Sequence, residues 1–138
     1  MSALLALLAT AGQSVPAVPV VPPAAPSLAP PTPTPPADWS AVPPLPWRVA
    51  PQSAPELDAF VQRTVATEHC PVATSRIVVE VAVFLRSDGL PRAVVPRAID
   101  CPTVEQFAAG LVSSLARNNI RLPASGWYRT TITFDWTR

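Results

Sequence analysis

The stretch "IVVEVAVFLRSDGLPRAVV", residues 77–95, decides the fold. Its first half alternates so that every second side chain is large and apolar, which is typical of a strand with one face against a core. These inward side chains are Ile77, Val79, Val81, Val83 and Leu85. Asp88-Gly89 then supplies the positive φ values that a tight hairpin turn requires. In the returning run, Pro91 and Pro96 cannot donate ladder hydrogen bonds, which predicts an edge or irregular strand.

Two helices are predicted, one on each side of this hairpin. Upstream, the run "SAPELDAFVQRTVATEH" places Ser53 and Glu56 at the spacing of a capping box, and the helix is expected to end near Glu68. Downstream, Thr103 and Gln106 repeat the capping pattern before a second apolar stripe. Each helix has one apolar face, so each is expected to pack on a sheet rather than to stand alone.

The last run, "WYRTTITFDW", predicts a closing strand over residues 127–136. Its inward side chains are Tyr128, Thr130, Ile132, Phe134 and Trp136. The element order is therefore helix, strand, strand, helix, strand. The predicted fold class is α+β, a small three-stranded antiparallel sheet with two helices on one face (α-β-β-α-β).

The chain before the first helix is not built like a domain. Residues 1–15 carry an apolar run that is shorter than the roughly 20 residues needed to cross a bilayer, and we interpret them as a signal peptide or short membrane anchor. Residues 16–50 hold most of the 20 prolines and are predicted to form a semi-rigid polyproline II linker. Residues 51–138 remain as the folded domain.

The two cysteines, Cys70 and Cys101, flank the hairpin. An even count in a small exported domain favours a disulfide, and the alternative is a pair of buried thiols that never meet. The leader favours export through the inner membrane, with retention in the cytoplasm as the alternative. Together with the single His69, the cysteines are too few for a closed tetrahedral metal site, so no metal or other cofactor is expected.

Composition and charge favour a non-enzymatic protein. The net charge of +1 creates no field that would recruit nucleic acid. His69 and Cys70 have the chemistry of a base and a nucleophile, but adjacent side chains usually point apart. The carboxylates of Glu80, Asp88 and Glu105 are better explained by the outer sheet face, the turn and a helix first turn. No catalytic residue is predicted.

The closing strand is expected to lie at one side of the sheet, with an exposed edge. Its outward residues Arg129, Thr131 and Thr133 are polar and suited to strands. Such an edge can accept an extended peptide as an additional strand, bound through main-chain hydrogen bonds. The alternative is a capped or bulged edge that only prevents aggregation.

The leader, the proline-rich spacer and the terminal domain together resemble the periplasmic part of TonB-family energy transducers. Four stretches are similar to the C-terminal domain of that family: the hairpin of residues 77–95, the alanine-rich helix "VEQFAAGLVSSLARN", the stretch "IRLPA" and the closing strand "TTITFDW". The sequence departs from the family before the second helix, where Asp100-Cys101-Pro102 replaces small residues.

The resemblance implies a periplasmic binding module, either exported or anchored in the inner membrane. It implies that the last strand pairs with an extended, TonB-box-like peptide of an outer-membrane transporter. An inner-membrane energising complex is the second partner that it implies, and nucleic acid is not expected. A small secreted envelope enzyme or inhibitor on a similar α+β frame is the alternative.

Overall fold

The computed structural model describes residues 11–21, 31–52, 54–72, 75–121 and 124–137. The chain divides into two units, Met1–Pro30 and Pro31–Arg138. In the first unit, residues 11–21 are exposed and have no regular secondary structure. Most of the predicted leader, residues 1–10, lies outside the described residues. Within the described ranges, no helix has both the length and the apolar character needed to span a bilayer.

The second unit contains two helices and three strands in the predicted order. They are α1 (Pro55–Glu68), β1 (Arg76–Leu85), β2 (Pro91–Pro96), α2 (Pro102–Leu115) and β3 (Gly126–Asp135), preceded by a 3-10 turn at Trp39–Ala41. The strands form one antiparallel sheet in the order β2-β1-β3. The predicted α+β fold class, α-β-β-α-β, is confirmed.

The core lies between the helices and one face of the sheet. All five side chains that the alternation of β1 directs inward are buried, and they pack with Val61 of α1 and with Val104 and Val112 of α2. Three aromatic rings connect α1, α2 and β3: the centroids of Phe60 and Phe107 are 4.6 Å apart, and those of Phe107 and Phe134 are 5.8 Å apart. Both helices therefore cover the same face of the sheet, as predicted.

The hairpin turn lies where the sequence predicts it but has a different form. The N–H of Gly89 donates to the carbonyl of Arg86 at 2.9 Å, and the N–H of Arg86 donates to the carbonyl of Leu90 at 3.0 Å. Gly89 has a φ of 81°, whereas the φ of Asp88 is not positive. The prediction that both residues adopt positive φ values is therefore wrong for Asp88. Its carboxylate instead accepts the N–H of Leu90 at 3.0 Å. The result is a three-residue loop with glycine in the left-handed position.

The start of α2 also differs from the predicted capping box of Thr103 and Gln106. The helix begins at Pro102, so Thr103 already lies in its first turn and cannot cap it with Gln106. The cap residue is Cys101, which makes no side-chain cap. The carboxylate of Glu105 accepts the N–H of Cys101 at 3.0 Å. A carboxylate reaching back from the first turn therefore completes this helix end.

The start of α1 has no side-chain cap either. Its cap residue is Ala54, and Pro55 occupies the first turn, where a missing N–H removes no helical hydrogen bond. Ser53, the predicted cap, lies outside the described residues. The helix ends at Glu68, as predicted.

A disulfide joins the two helices. Cys70, just beyond the end of α1, is bonded to Cys101, which precedes α2; the two Cα atoms are 5.3 Å apart and the sequence separation is 31 residues. Closing a loop of this length stabilises the fold by about 3.5–4 kcal/mol in the chain-entropy model. The bond therefore holds both helices on the same face of the sheet.

Part of the proline-rich segment packs on the domain, so the folded part of the chain begins before residue 51. Trp39, Val42 and Leu45 are all less than a tenth exposed, and Leu45 belongs to the main core. We refer to residues 39–47 as the strap. Proline fixes φ and removes backbone donors, which excludes a regular sheet strand but not an extended segment held through its carbonyl groups.

The strap begins on the outer face of the sheet, at Trp39 and Val42, and crosses the edge of β3 to the core, where Leu45 is buried. At β2, the guanidinium of Arg97 is 4.6 Å from the ring centroid of Trp39 and forms a 3.2 Å ion pair with Glu80. At β3, the side chain of Arg129 donates to the carbonyl of Val42 at 2.8 Å. Arg97, which directly follows β2, and Arg129 of β3 therefore hold the strap from the two sides of β1.

The strap ends with a firm attachment beyond α2. The indole N–H of Trp47 donates to the hydroxyl of Thr130 at 3.0 Å. The side-chain amide of Asn119 both accepts the N–H of Val49 and donates to its carbonyl, each at 2.9 Å. The N–H of Arg121 donates to the carbonyl of Pro46 at 2.7 Å. These contacts fix the start of the segment that leads from the strap to α1.

We predict that Leu45→Ala lowers the free energy of unfolding by about 2–5 kcal/mol, because a leucine in the core is replaced by a smaller side chain that leaves a cavity. Urea unfolding of the oxidised protein measures the change. Val49→Ala is the matched control, since Val49 is 65% exposed and its truncation should alter stability by less than about 0.5 kcal/mol. Equal stability of the two variants would show that the strap is not part of the folded domain.

Candidate functional site

The free side of β3 is the candidate site. β3 pairs with β1 along its whole length, from Arg76 opposite Asp135 to Leu85 opposite Gly126, and no other named strand lies on its far side. In a strand, successive residues direct their N–H and C=O groups to opposite edges. The backbone groups of Arg129, Thr131 and Thr133 therefore point away from β1, along the outer edge of the sheet.

Arg129 is already occupied by the strap. Its N–H donates to the carbonyl of Pro43 at 2.9 Å, and its carbonyl accepts the N–H of Leu45 at 2.8 Å. Pro44 lies opposite Arg129 in a parallel bridge. Of the three residues predicted for the peptide-binding edge, Arg129 thus serves as an internal attachment point in this structure.

The far end of β3 is held by helix α1. The N–H of Asp135 donates to a carboxylate oxygen of Asp58 at 3.2 Å. Asp58 is only 9% exposed although its side chain is a carboxyl group. One carboxylate of a helix thus supplies the acceptor that a neighbouring strand would otherwise supply.

Thr131 and Thr133 lie between these two attachments. Within the part of the chain that the structure describes, no backbone group pairs with their outward N–H and C=O groups. Thr131 is exposed and Thr133 is half-buried. The open part of the edge is therefore about two residues long on β3, or roughly 7 Å along the strand.

A groove of about 490 Å³ follows this open edge. Thr131 and Thr133 line one side of it, and Pro51 and Gln52, on the segment that leads from the strap to α1, line the other. Clefts that bind small ligands range from about 300 to 1,000 Å³, so the groove has room for several residues of an extended chain. We refer to it as the edge groove.

Below the edge groove, on the helix side of the sheet, is a smaller apolar slot of about 30 Å³. Its lining is mainly apolar, formed by Leu57 of α1, Leu111 and Leu115 of α2, and Ile132 and Phe134 of β3. The carboxylate of Asp58 lines it as well. The slot and the edge groove adjoin, because Pro51, Gln52, Ile132 and Thr133 line both.

Charged groups lie at one end of the edge groove. The exposed side chain of Arg76 lines the groove together with Asp135. The carboxylate of Asp135 accepts both the N–H and the hydroxyl of Thr137. Arg76 is therefore the cation that a bound acidic group would meet in the groove.

The remaining sequence candidates lie elsewhere and have structural roles. His69 is the exposed C-cap of α1 in the left-handed conformation, and its neighbour Cys70 is bonded to Cys101. Glu68 lies close enough to these two sulfurs to suggest a metal-binding group, with the ligand atoms within 4.8 Å of one another. Both sulfurs are consumed by the disulfide, however, so they do not offer thiolate ligands.

One carboxylate outside the groove has a shifted pKa. Hydrogen bonds from the hydroxyl and then the N–H of Ser40 lower the pKa of Asp38 below its ordinary value. The pair lies at the start of the 3-10 turn of the strap, where Asp38 is the cap residue. This carboxylate stabilises a turn and does not reach the groove.

Sequence reasoning missed the second wall of the groove. Pro51 and Gln52 directly follow residue 50, where the predicted linker ends. Their position depends on the hydrogen bonds that Trp47 and Val49 make with residues beyond α2 in the sequence. The signal that could have located the strap is the presence of Trp39, Leu45 and Trp47 in a proline tract that otherwise carries small side chains. Large apolar residues in such a tract indicate packing on a domain.

No protein-family model matches this chain, and neither a curated protein nor a solved structure is significantly similar to it.

We predict that Asp58→Ala accelerates hydrogen exchange at the amide of Asp135 by about tenfold or more, because the buried edge loses its hydrogen-bond acceptor. Exchange followed by nuclear magnetic resonance measures this amide directly. Asp58→Asn keeps an acceptor oxygen and should preserve most of the protection. Glu56→Ala removes another first-turn carboxylate and serves as the control for the helix dipole. Unchanged exchange in the alanine variant would contradict the assigned contact.

Proposed function

We propose that this chain is a TonB-like, periplasmic binding module that accepts an extended peptide at the open edge of β3. The observation that carries the proposal is the outward backbone of Thr131 and Thr133, which has no backbone partner among the described residues. It faces a groove between two regions where the edge is occupied. Unpaired strand edges bind extended segments through main-chain hydrogen bonds. In this proposal the peptide belongs to an outer-membrane transporter, as the family resemblance implies.

The energetics of this edge suit a reversible complex. Each main-chain hydrogen bond contributes about 1 kcal/mol net, so pairing with the N–H and C=O groups of both threonines contributes about 4 kcal/mol. The loss of translational and rotational freedom on association costs about as much or more, so backbone pairing alone gives only a weak complex. Recognition of one peptide among many therefore has to come from the walls of the groove.

The direction of the strap supports a peptide that pairs with β3 as a parallel strand. It already lies parallel to β3 at Arg129, and it leaves the edge after Leu45, where the N–H of Trp47 turns back to the carbonyl of Leu45 at 2.9 Å. An incoming segment would continue the same line along Thr131 and Thr133. Coupling to an inner-membrane energising complex, with force passing through the proline-rich segment, belongs to the same proposal.

The proposed location is the periplasm, with the chain either exported or anchored in the inner membrane. The disulfide between Cys70 and Cys101 is compatible with an extracellular or periplasmic location, because cytosolic thiols are kept reduced. The finer assignment rests on the apolar leader and the family resemblance.

A catalytic role is less well supported by the groove. Nucleophilic catalysis needs a nucleophile within hydrogen-bond reach of a base. The described residues that line the edge groove include two threonines but neither a histidine nor a cysteine. Asp135, a carboxylate in the lining, is engaged with Thr137. The alternative of a small envelope enzyme therefore has no specific observation in its favour.

We predict that Thr131→Pro leaves the domain folded and abolishes binding of a synthetic TonB-box peptide. The N–H that proline removes points away from β1, so the sheet loses none of its own ladder bonds, whereas an added strand loses a donor. Circular dichroism tests folding and isothermal titration calorimetry tests binding. Thr131→Val retains the N–H and the branched side chain and should bind like the original protein. Undiminished binding by the proline variant would refute strand addition at this residue.

We also predict that the mature protein carries no free thiol and is recovered from the envelope fraction. Mass spectrometry after alkylation under denaturing conditions counts the thiols, and sequencing of the mature N-terminus shows whether the leader is removed. Two alkylated cysteines in protein recovered from the cytoplasm would contradict the proposed location.

A further inference from the structure

We propose that the apolar slot below the edge groove selects the bound segment, and that it takes one small branched aliphatic side chain, such as valine, at the residue opposite Ile132. This inference rests on the proposed strand addition and goes beyond it by naming the chemistry of the partner. The partner is an extended peptide with a single valine between polar residues.

The position of the side chain follows from the pleat of the sheet. Residues directly opposite each other on neighbouring strands carry their side chains on the same face. Ile132 is buried on the helix side, whereas Thr131 and Thr133 belong to the outer face. A strand added along this edge therefore directs the residue opposite Ile132 towards the helices, and the residues on either side of it towards solvent.

The slot lies where that side chain arrives. Ile132 and Thr133 line both the slot and the edge groove, so the two cavities adjoin at the edge of β3. Leu115 is 40% exposed although it lies on the helix face that packs on the core, which leaves an apolar surface at the mouth of the slot. An added strand that covers this surface removes it from water.

The volume of the slot limits what fits. About 10–15 Å³ of such space is the least that holds one water molecule, so a slot of about 30 Å³ admits only a small side chain. Valine is a small branched aliphatic side chain that suits such a slot. Glycine would leave it empty, and aspartate would place a carboxylate beside Asp58 and against leucine and phenylalanine side chains.

The outer face favours polar neighbours. Thr131 and Thr133 flank the position of the selected residue, and the exposed guanidinium of Arg76 lies at the end of the groove. Asp135 lines the same end of the groove, so this face suits polar side chains on the partner and favours neither sign of charge. The open backbone groups explain why an extended segment is expected to cover the slot rather than a helix or a flat apolar surface.

The test uses three heptapeptides with blocked ends, in which a central valine, glycine or aspartate is flanked by three threonines on each side. A single aliphatic residue fixes the register, because only that residue can enter the slot. Isothermal titration calorimetry with the oxidised full chain measures binding. We expect the valine peptide to bind at least tenfold more tightly than the glycine peptide, and the aspartate peptide to bind more weakly than either.

The variant Leu115→Asn assigns this preference to the slot. It replaces a side chain at the mouth of the slot with a polar one of similar size, and we expect the preference for valine over glycine to fall to less than threefold while binding of the glycine peptide is unchanged. Leu90→Asn is the matched control, since Leu90 is 43% exposed and lies in the hairpin loop, and it should keep the preference. Thermal unfolding confirms that both variants are folded.

The outcomes separate the two proposals. Equal binding of all three peptides, lost in Thr131→Pro, would overturn the slot inference and leave strand addition standing. A valine preference that survives Leu115→Asn would also overturn the inference, because the side chain would then bind elsewhere. No binding of any peptide to the original protein would overturn the proposed function and this inference together.

Discussion

The central position of β1 is the constraint on which the rest of the structure depends. This strand pairs with β2 on one side and with β3 on the other, so both partners become edge strands. One face of β1 is uniformly apolar and fixes the register, because a slip of one residue would turn that face to solvent. The helices then have a single surface on which to pack, and the disulfide holds their facing ends together.

The two edges of the sheet are protected in different ways. β2 is six residues long and begins and ends with proline, so its outer side offers few donors. β3 is ten residues long and is covered at intervals, by the strap at Arg129 and by the carboxylate of Asp58 at Asp135. Natural proteins cover long edges to prevent aggregation. The section of β3 that stays open is therefore an exception within an otherwise protected sheet, and it coincides with the edge groove.

The sequence predicts the elements well because their signals are local. Alternation over residues 77–85 and 127–136 identifies the strands and their inner faces, and the helical stripes identify both helices. The form of the hairpin loop was not predictable from Asp88-Gly89 alone, because it depends on a hydrogen bond from Leu90. The cap of α2 was missed for a similar reason, since Glu105 reaches back over four residues to Cys101.

The candidate site was only partly predictable, because its limits are set by contacts distant in sequence. The alternation of β3 shows which side chains point outward, and it led to Thr131 and Thr133. It does not show that Arg129 binds a segment about 85 residues earlier in the chain, as its contacts with Val42 and Leu45 require. Composition alone assigned that segment to the linker. Large apolar residues within a proline tract therefore indicate that the tract packs on a folded domain, even where its backbone is extended.

The three prolines of the strap have a consequence for stoichiometry. Pro43, Pro44 and Pro46 lack N–H groups, and the N–H of Leu45 is already used by Arg129. The outer side of the strap therefore cannot serve as a template for another strand, and the sheet stops growing there. The gap at Thr131 and Thr133, between the strap and Asp135, remains for an added segment. In the proposed binding mode, this side of the described sheet therefore accepts one segment at a time rather than a continuing series of strands.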